Sequence, residues 1–178
     1  MNGRTMRLLA ILSLTVICFA PGESKAGDAT LYAGFQNPGK LTVDNLVHDT
    51  KIGGVFGARF SAGRLLGFEQ TFGFSPSFLE SSQRAFNTQS NIVIGLPTGV
   101  VIPYATAGIG LITTFGDQVS SFADIGTKFT VNYGGGLKFR NLAGPVGFRV
   151  DVRGYSVPKV FNQTLNFVEG SVGLLLSW

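Results

Sequence analysis

Charge is the first thing this chain lacks. Only 13% of its 178 residues are Asp, Glu, Lys or Arg, about half the share of a typical soluble domain. Its single cysteine is Cys18, so no disulfide framework and no CxxC metal or redox site can form. His48 is the only histidine, which excludes a histidine-rich metal centre. Basic residues do not cluster, and the net charge of +4 does not describe a nucleic-acid surface. No stretch beyond residue 26 has the length and apolarity of a membrane-spanning helix, which needs about 20 such residues. No window shows the 3.6-residue apolar period of an amphipathic helix.

Phe (16) and Gly (25) are abundant, and 44% of the residues are hydrophobic. Little charge with much Phe implies that part of the surface faces something other than water. The N-terminus accounts for some of this. Arg4 and Arg7 flank an apolar run over 8–20, followed by Pro21, Gly22, Glu23 and the small-x-small triplet Ser24-Lys25-Ala26. That pattern predicts a secretory signal over 1–26 cut after Ala26, with Cys18 leaving with it. The mature chain is then expected to be 27–178, with a net charge of +2 once Arg4, Arg7, Lys25 and Glu23 are gone.

Within 27–178 the dominant signal is alternation of apolar and polar residues. It predicts eight strands, near 29–36, 52–61, 65–74, 89–96, 100–112, 127–139, 146–155 and 165–178. Connections alternate between short (62–64, 97–99, 140–145) and long (37–51, 75–88, 113–126, 156–164). An even number of strands with short turns on one side and long loops on the other is the plan of an up-and-down antiparallel barrel. In "VGFRVDVRGY", Val146, Phe148, Val150 and Val152 share one face, and Arg149, Asp151 and Arg153 the other. No predicted strand carries a charge on its apolar face, where Gln70 is the most polar member.

Alternation does not by itself say which face is inside, and three features put the apolar face outward. Glycines concentrate on the polar face (among them Gly57, Gly73, Gly134, Gly136 and Gly173), as a narrow eight-stranded lumen requires. The charges on that face balance, with Arg59, Arg149 and Arg153 against Glu69, Asp151 and Glu169, as buried charges must. Arg59 is expected to face Glu69 across a hairpin centred on Arg64. Apolar-face aromatics collect at strand ends, like the girdles of a membrane barrel.

These stretches carry a resemblance. "LYAGF" at 31–35, "PYATAGIGL" at 103–111, "NYGGGLKF" at 132–139, "GFRVDVRGY" at 147–155 and the C-terminal strand resemble the eight-stranded outer-membrane β-barrels of the OmpA/OmpX type, over essentially all of 27–178. The resemblance implies location in the bacterial outer membrane and contact with its lipid; the peptidoglycan-binding domain that follows the barrel in longer members is not expected here, nor is a wall-anchoring role. The closing "SVGLLLSW" resembles the terminal signal read by the outer-membrane assembly machinery, with Ser171, Gly173, Leu176 and Trp178 as its elements.

Chemistry-bearing candidates are sparse. His48 lies beside Asp49 in the first long loop, and Ser81 and Ser82 lie in the second; one lipid-modifying family uses loop residues of these types, but nothing in the sequence brings them together as a triad requires. The glycine runs lie inside strands with no helix behind them, so the nucleotide-binding fingerprint fails. Large polar side chains in an eight-stranded lumen are expected to form a plug of ion pairs. Phe78, Phe86, Phe115 and Phe122 fall in predicted loops, where they pack over the barrel mouth or meet an extracellular partner. The sequence thus predicts a monomeric structural or surface-interaction protein without enzymatic activity, cofactor or nucleic-acid partner. A small gated pore, or a lipid-modifying enzyme using residues near His48, are the alternatives.

Overall fold

A computed structural model describes residues 27–38, 41–43, 46–48, 52–78, 83–116, 126–160 and 163–178. The predicted signal over 1–26 lies outside the described residues. The elements are β1 (Gly27–Pro38), β2 (Leu41–Val43), β3 (Leu46–His48), β4 (Gly53–Gly63), β5 (Leu66–Ser75), β6 (Gln83–Gly95), β7 (Val101–Gly116), β8 (Thr127–Ala143), β9 (Val146–Val160) and β10 (Gln163–Ser177). Eight of them close a barrel in the order β1-β10-β9-β8-β7-β6-β5-β4, every pair antiparallel, while β2 and β3 form a separate hairpin.

The register fixes the barrel's shape. Stepping across paired residues from Asp28 leads through Ser61, Glu69, Asn91, Gly108, Asn132, Tyr155 and Phe167 back to β1 at Pro38. The path returns ten residues higher on the same strand (38 − 28). With strands about 4.8 Å apart and about 3.3 Å per residue, that stagger corresponds to a tilt of about 40°. Each residue then climbs about 2.5 Å along the barrel axis, so some ten residues cross the ~25 Å apolar band of an outer-membrane barrel.

Several strands are longer than that, and here the sequence reading is corrected. β6 begins at Gln83, so Phe86 is a strand residue; β7 runs to Gly116 and includes Phe115; β9 continues to Val160 and β10 starts at Gln163. On β9 and β10 the reason is an inversion of the pattern. Along β9, Arg149, Asp151 and Arg153 point inward, followed on the same inner face by Tyr155 and Val157. Ser156 and Asn166 face outward and hydrogen-bond to each other at 2.7 Å. Beyond the apolar belt the wall faces water, so the outside turns polar and the inside apolar. A search for an apolar outer face stops where this switch occurs.

The apolar interior of the extension is a compact core of Phe78, Ala85, Ile112, Tyr155, Val157, Val160, Leu165 and Phe167. Phe78, predicted in a loop either packing over the barrel mouth or meeting a partner, packs edge-on against Phe167 at 5.4 Å, and Tyr155 stacks on the Phe167 ring at 4.7 Å. Phe86 and Phe115 face outward, and Phe122 lies outside the described residues.

On the outer wall, exposed apolar residues run from Trp178, Val146 and Phe148 at the turn end to Phe35, Phe86 and Phe129 at the loop end. Phe139 and Phe148 stack at 4.2 Å in the turn-end girdle. Tight turns close that end: Gly63 (φ 113°) and Gly144 (φ 64°) adopt left-handed backbone, which glycine accepts without steric cost. Asn141 (φ 56°) sits where the β8–β9 register shifts between Phe139 and Ala143.

Candidate functional site: the filled lumen

The six charged residues singled out in the sequence come together inside the barrel. Inward-facing positions on β4, β5, β9 and β10 aim their side chains at one level of the axis. Arg59 Nη1 lies 2.8 Å from Asp151 Oδ2, and its Nη2 lies 2.6 Å from Glu169 Oε1. Arg149 Nη1 and Arg153 Nη2 take the two oxygens of Glu69 at 2.6 and 2.7 Å. Asp151 bridges the halves, accepting also from Arg149 Nε at 3.0 Å and Arg153 Nη2 at 3.2 Å. Arg59, Glu69, Arg149, Arg153 and Glu169 are all 0% exposed.

The expected pairing of Arg59 with Glu69 is not observed. The β4–β5 hairpin is centred on Leu65 rather than Arg64, so Arg59 stands opposite Thr71 and Glu69 opposite Ser61. The slip keeps both residues inward but separates them by one inward position, and each finds partners across the barrel instead.

Polar neighbours complete the cluster. Gln36 donates to Glu169 at 3.0 Å and accepts from Ser75 at 2.8 Å; Ser171 accepts from Arg59 at 3.1 Å. The Tyr104 hydroxyl donates to Asp151 and accepts from Arg149 Nε at 2.9 Å. Gln89, Asn91, Thr130 and Asn132 form an adjoining uncharged network. Two aromatic rings lie against the cations: the Arg59 guanidinium sits 3.7 Å from the Tyr32 ring centroid, and that of Arg149 4.6 Å from Tyr104. Such contacts are worth more once desolvated. The lumen glycines make room for these rings. A Cβ on Gly73 would stand 2.6 Å from the Tyr32 hydroxyl oxygen, and one on Gly136 would stand 2.7 Å from that of Tyr104.

A second cluster lies nearer the turn end, where Asp28 receives Lys138 at 2.8 Å, Arg140 at 2.7 Å and Ser61 at 2.6 Å. Neither Lys138 nor Asp28, which precedes the predicted first strand, is among the six lumen charges read from the sequence. The β1 alternation of Asp28, Thr30, Tyr32, Gly34 and Gln36 was the available signal. With this cluster included, the buried charges balance: Arg59, Arg149, Arg153 and Lys138 against Asp28, Glu69, Asp151 and Glu169. Burying ions costs several kcal/mol each, repaid only when partners and hydrogen bonds are supplied.

Chemically, this interior offers pairing rather than reactivity. The carboxylates are engaged by cations, and charged groups and apolar rings occupy successive levels of the axis. Among the described residues, no group of three or more His, Cys, Asp or Glu is arranged to hold a metal ion. His48 pairs with Leu41 in the β2–β3 hairpin; Asp49, Ser81 and Ser82 lie outside the described residues.

The C-terminal residues occupy the seam that closes the barrel. Trp178 and Gly27 exchange backbone hydrogen bonds at 3.1 Å in both directions. Leu176 and Trp178 face outward, while Ser171 and Gly173 face the lumen, Gly173 lying beneath Tyr32.

These features define an all-β, closed, eight-stranded antiparallel barrel of the transmembrane type. The solved structures similar to it include Neisserial surface protein A (TM-score 0.66, 14% identity, covering 87% of this chain and 98% of the other). The N-terminal β-barrel domain of Pseudomonas aeruginosa OprF matches with a TM-score of 0.59 at 11% identity, over 86% of this chain and 98% of the other. The outer membrane enzyme PagL matches with a TM-score of 0.52 at 15% identity, over 84% and 98%. Neither a protein-family model nor a curated protein matches the chain.

Proposed function

We propose that this chain is an integral protein of the bacterial outer membrane, a monomeric barrel with a structural or surface-interaction role and a lumen closed to solutes. The observation that carries this reading is the double filling of the interior. A fully buried ion cluster is continued, toward the loop end, by the apolar core around Phe167. A conduction path would have to break charge pairs at one level and an apolar contact layer at the other. The outward apolar belt is in contact with lipid, and a charge placed on it near mid-membrane would cost about 2–4 kcal/mol.

The same fold carries an enzyme in PagL, so the fold does not decide catalysis. The non-enzymatic reading rests on the lumen residues, whose ionised groups are committed to one another. Residues 1–26 act as the export signal, and Ser171, Gly173, Leu176 and Trp178 as the segment read by the assembly machinery. Specificity toward an extracellular partner resides in the long loops. The test is reconstitution of the full mature chain into planar bilayers and vesicles. The reading expects resistance to urea extraction, a heat-dependent shift in gel mobility and no conductance above the lipid baseline. Stepwise channel openings would replace it with the gated pore.

A further inference from the structure

The outer wall is not uniform. Over β1, β4, β5 and β6 an open apolar hollow of about 440 Å³ is walled by Leu31, Phe56, Phe72, Phe74 and Phe86 and floored by Ala58. Ala58 stands in register with Leu31 on one side and Phe72 on the other, so a methyl lies where its neighbours present large side chains. The volume is within the range of small-molecule sites, about 300–1,000 Å³.

Beyond Phe86, which forms the β6 edge of the hollow, stands Arg84. It shares the outer face of β6 with Phe86, two residues closer to the loop end, and is exposed. Ten residues separate Arg84 from Ile94 at the opposite end of β6, which corresponds to about 25 Å along the axis, the height of an outer-membrane apolar band. Arg84 therefore lies at the level of the outer-leaflet headgroups. Among the described residues it makes no ion pair, because all four described carboxylates (Asp28, Glu69, Asp151 and Glu169) are buried in the lumen. An apolar groove ending under a lone cation at headgroup height matches one kind of molecule in both parts.

We propose that this face is a binding site for an anionic, phosphate-bearing lipid of the outer leaflet, with an acyl chain in the hollow over Ala58 and the phosphate at Arg84. The site rests on the membrane-barrel reading. The ring pairs Phe56–Phe74 at 5.4 Å and Phe74–Phe115 at 6.2 Å brace the walls, so the hollow exists before a lipid arrives and its occupant loses less freedom on binding.

The experiment is native mass spectrometry of the folded, full-length mature chain released from vesicles, titrated with phosphatidylglycerol and, separately, phosphatidylcholine. One phosphatidylglycerol adduct is expected to persist at activation energies that strip phosphatidylcholine. Arg84→Gln is expected to weaken it about fivefold, the effect of one basic residue near a charged interface. Ala58→Phe, which fills the hollow from a lipid-facing position, is expected to weaken it at least as much, whereas Lys159→Gln is not. Equal retention of both lipids, unchanged adducts in both variants, or a protein dimer in place of the adduct would overturn the proposal while leaving the membrane reading intact. Failure of the wild-type chain to insert into vesicles would overturn both.

Discussion

Glu69→Gln is the perturbation that loads the lumen cluster most directly. Glu69 is fully buried and gives one oxygen to Arg149 at 2.6 Å and the other to Arg153 at 2.7 Å. The amide keeps the shape but loses the charge, and its nitrogen end turns a donor toward a guanidinium. Four buried cations then face three buried anions, and Asp151, already shared by Arg59, Arg149 and Arg153, cannot compensate. Breaking a buried pair by removing one partner costs about 3–5 kcal/mol, and that is the expected loss of barrel stability. Removing a cation as well, in Glu69→Gln with Arg153→Gln, restores the balance and should recover at least about half of it, because coupled neighbours are not additive. The assay is reversible guanidinium unfolding in vesicles, followed by the fluorescence of Trp178, the only tryptophan. A loss below about 1 kcal/mol for Glu69→Gln, or a double variant less stable than the single one by the full cost of a second broken pair, would refute the argument.

Three further outcomes follow from the same geometry. Phe167→Ala removes the ring that contacts both Phe78 and Tyr155 and should destabilise the barrel by about 3–5 kcal/mol in the same unfolding assay, while leaving conductance at baseline because the ion cluster still fills the lumen. Gly73→Ala places a methyl 2.6 Å from the Tyr32 hydroxyl and should cost about 1–3 kcal/mol; Tyr32→Phe in the same chain should relieve part of it, which a double-mutant cycle will show. Deleting Trp178 removes the backbone pair with Gly27 and an exposed belt aromatic, and pulse-chase fractionation is expected to show slowed insertion with unfolded chain accumulating in the periplasm.

Much of the wall was legible in the sequence because a membrane barrel writes its two environments directly onto alternate residues. Val146, Phe148, Val150 and Val152 need lipid, while Arg149, Asp151 and Arg153 need one another, and the balanced charges and glycines of the polar face decide which side of β9 is inside. The strand ends were less legible for a physical reason: above the belt the environments exchange sides, so Tyr155, Val157, Leu165 and Phe167 read as a break in the pattern when they continue the inner face. Pairing was harder still. The balance of lumen charge was visible, but partners lie across the barrel, and a hairpin centre displaced from Arg64 to Leu65 was enough to move Arg59 from Glu69 to Asp151 and Glu169. Asp28 escaped notice because its partners, Lys138 and Arg140, lie more than a hundred residues away. The hollow over Ala58 arises only when four strands are set side by side.

The orientation of the two faces underlies every other statement, and one measurement tests it directly. The chain beyond residue 26 contains no cysteine, so a single label position can be introduced at Val152, which is 59% exposed on the outer wall and directly follows lumen-facing Asp151. In vesicles, a probe on Val152→Cys should be quenched by lipids brominated along the acyl chain and protected from water-soluble quenchers. Quenching from water with none from the acyl chains would place the apolar face elsewhere and contradict the account.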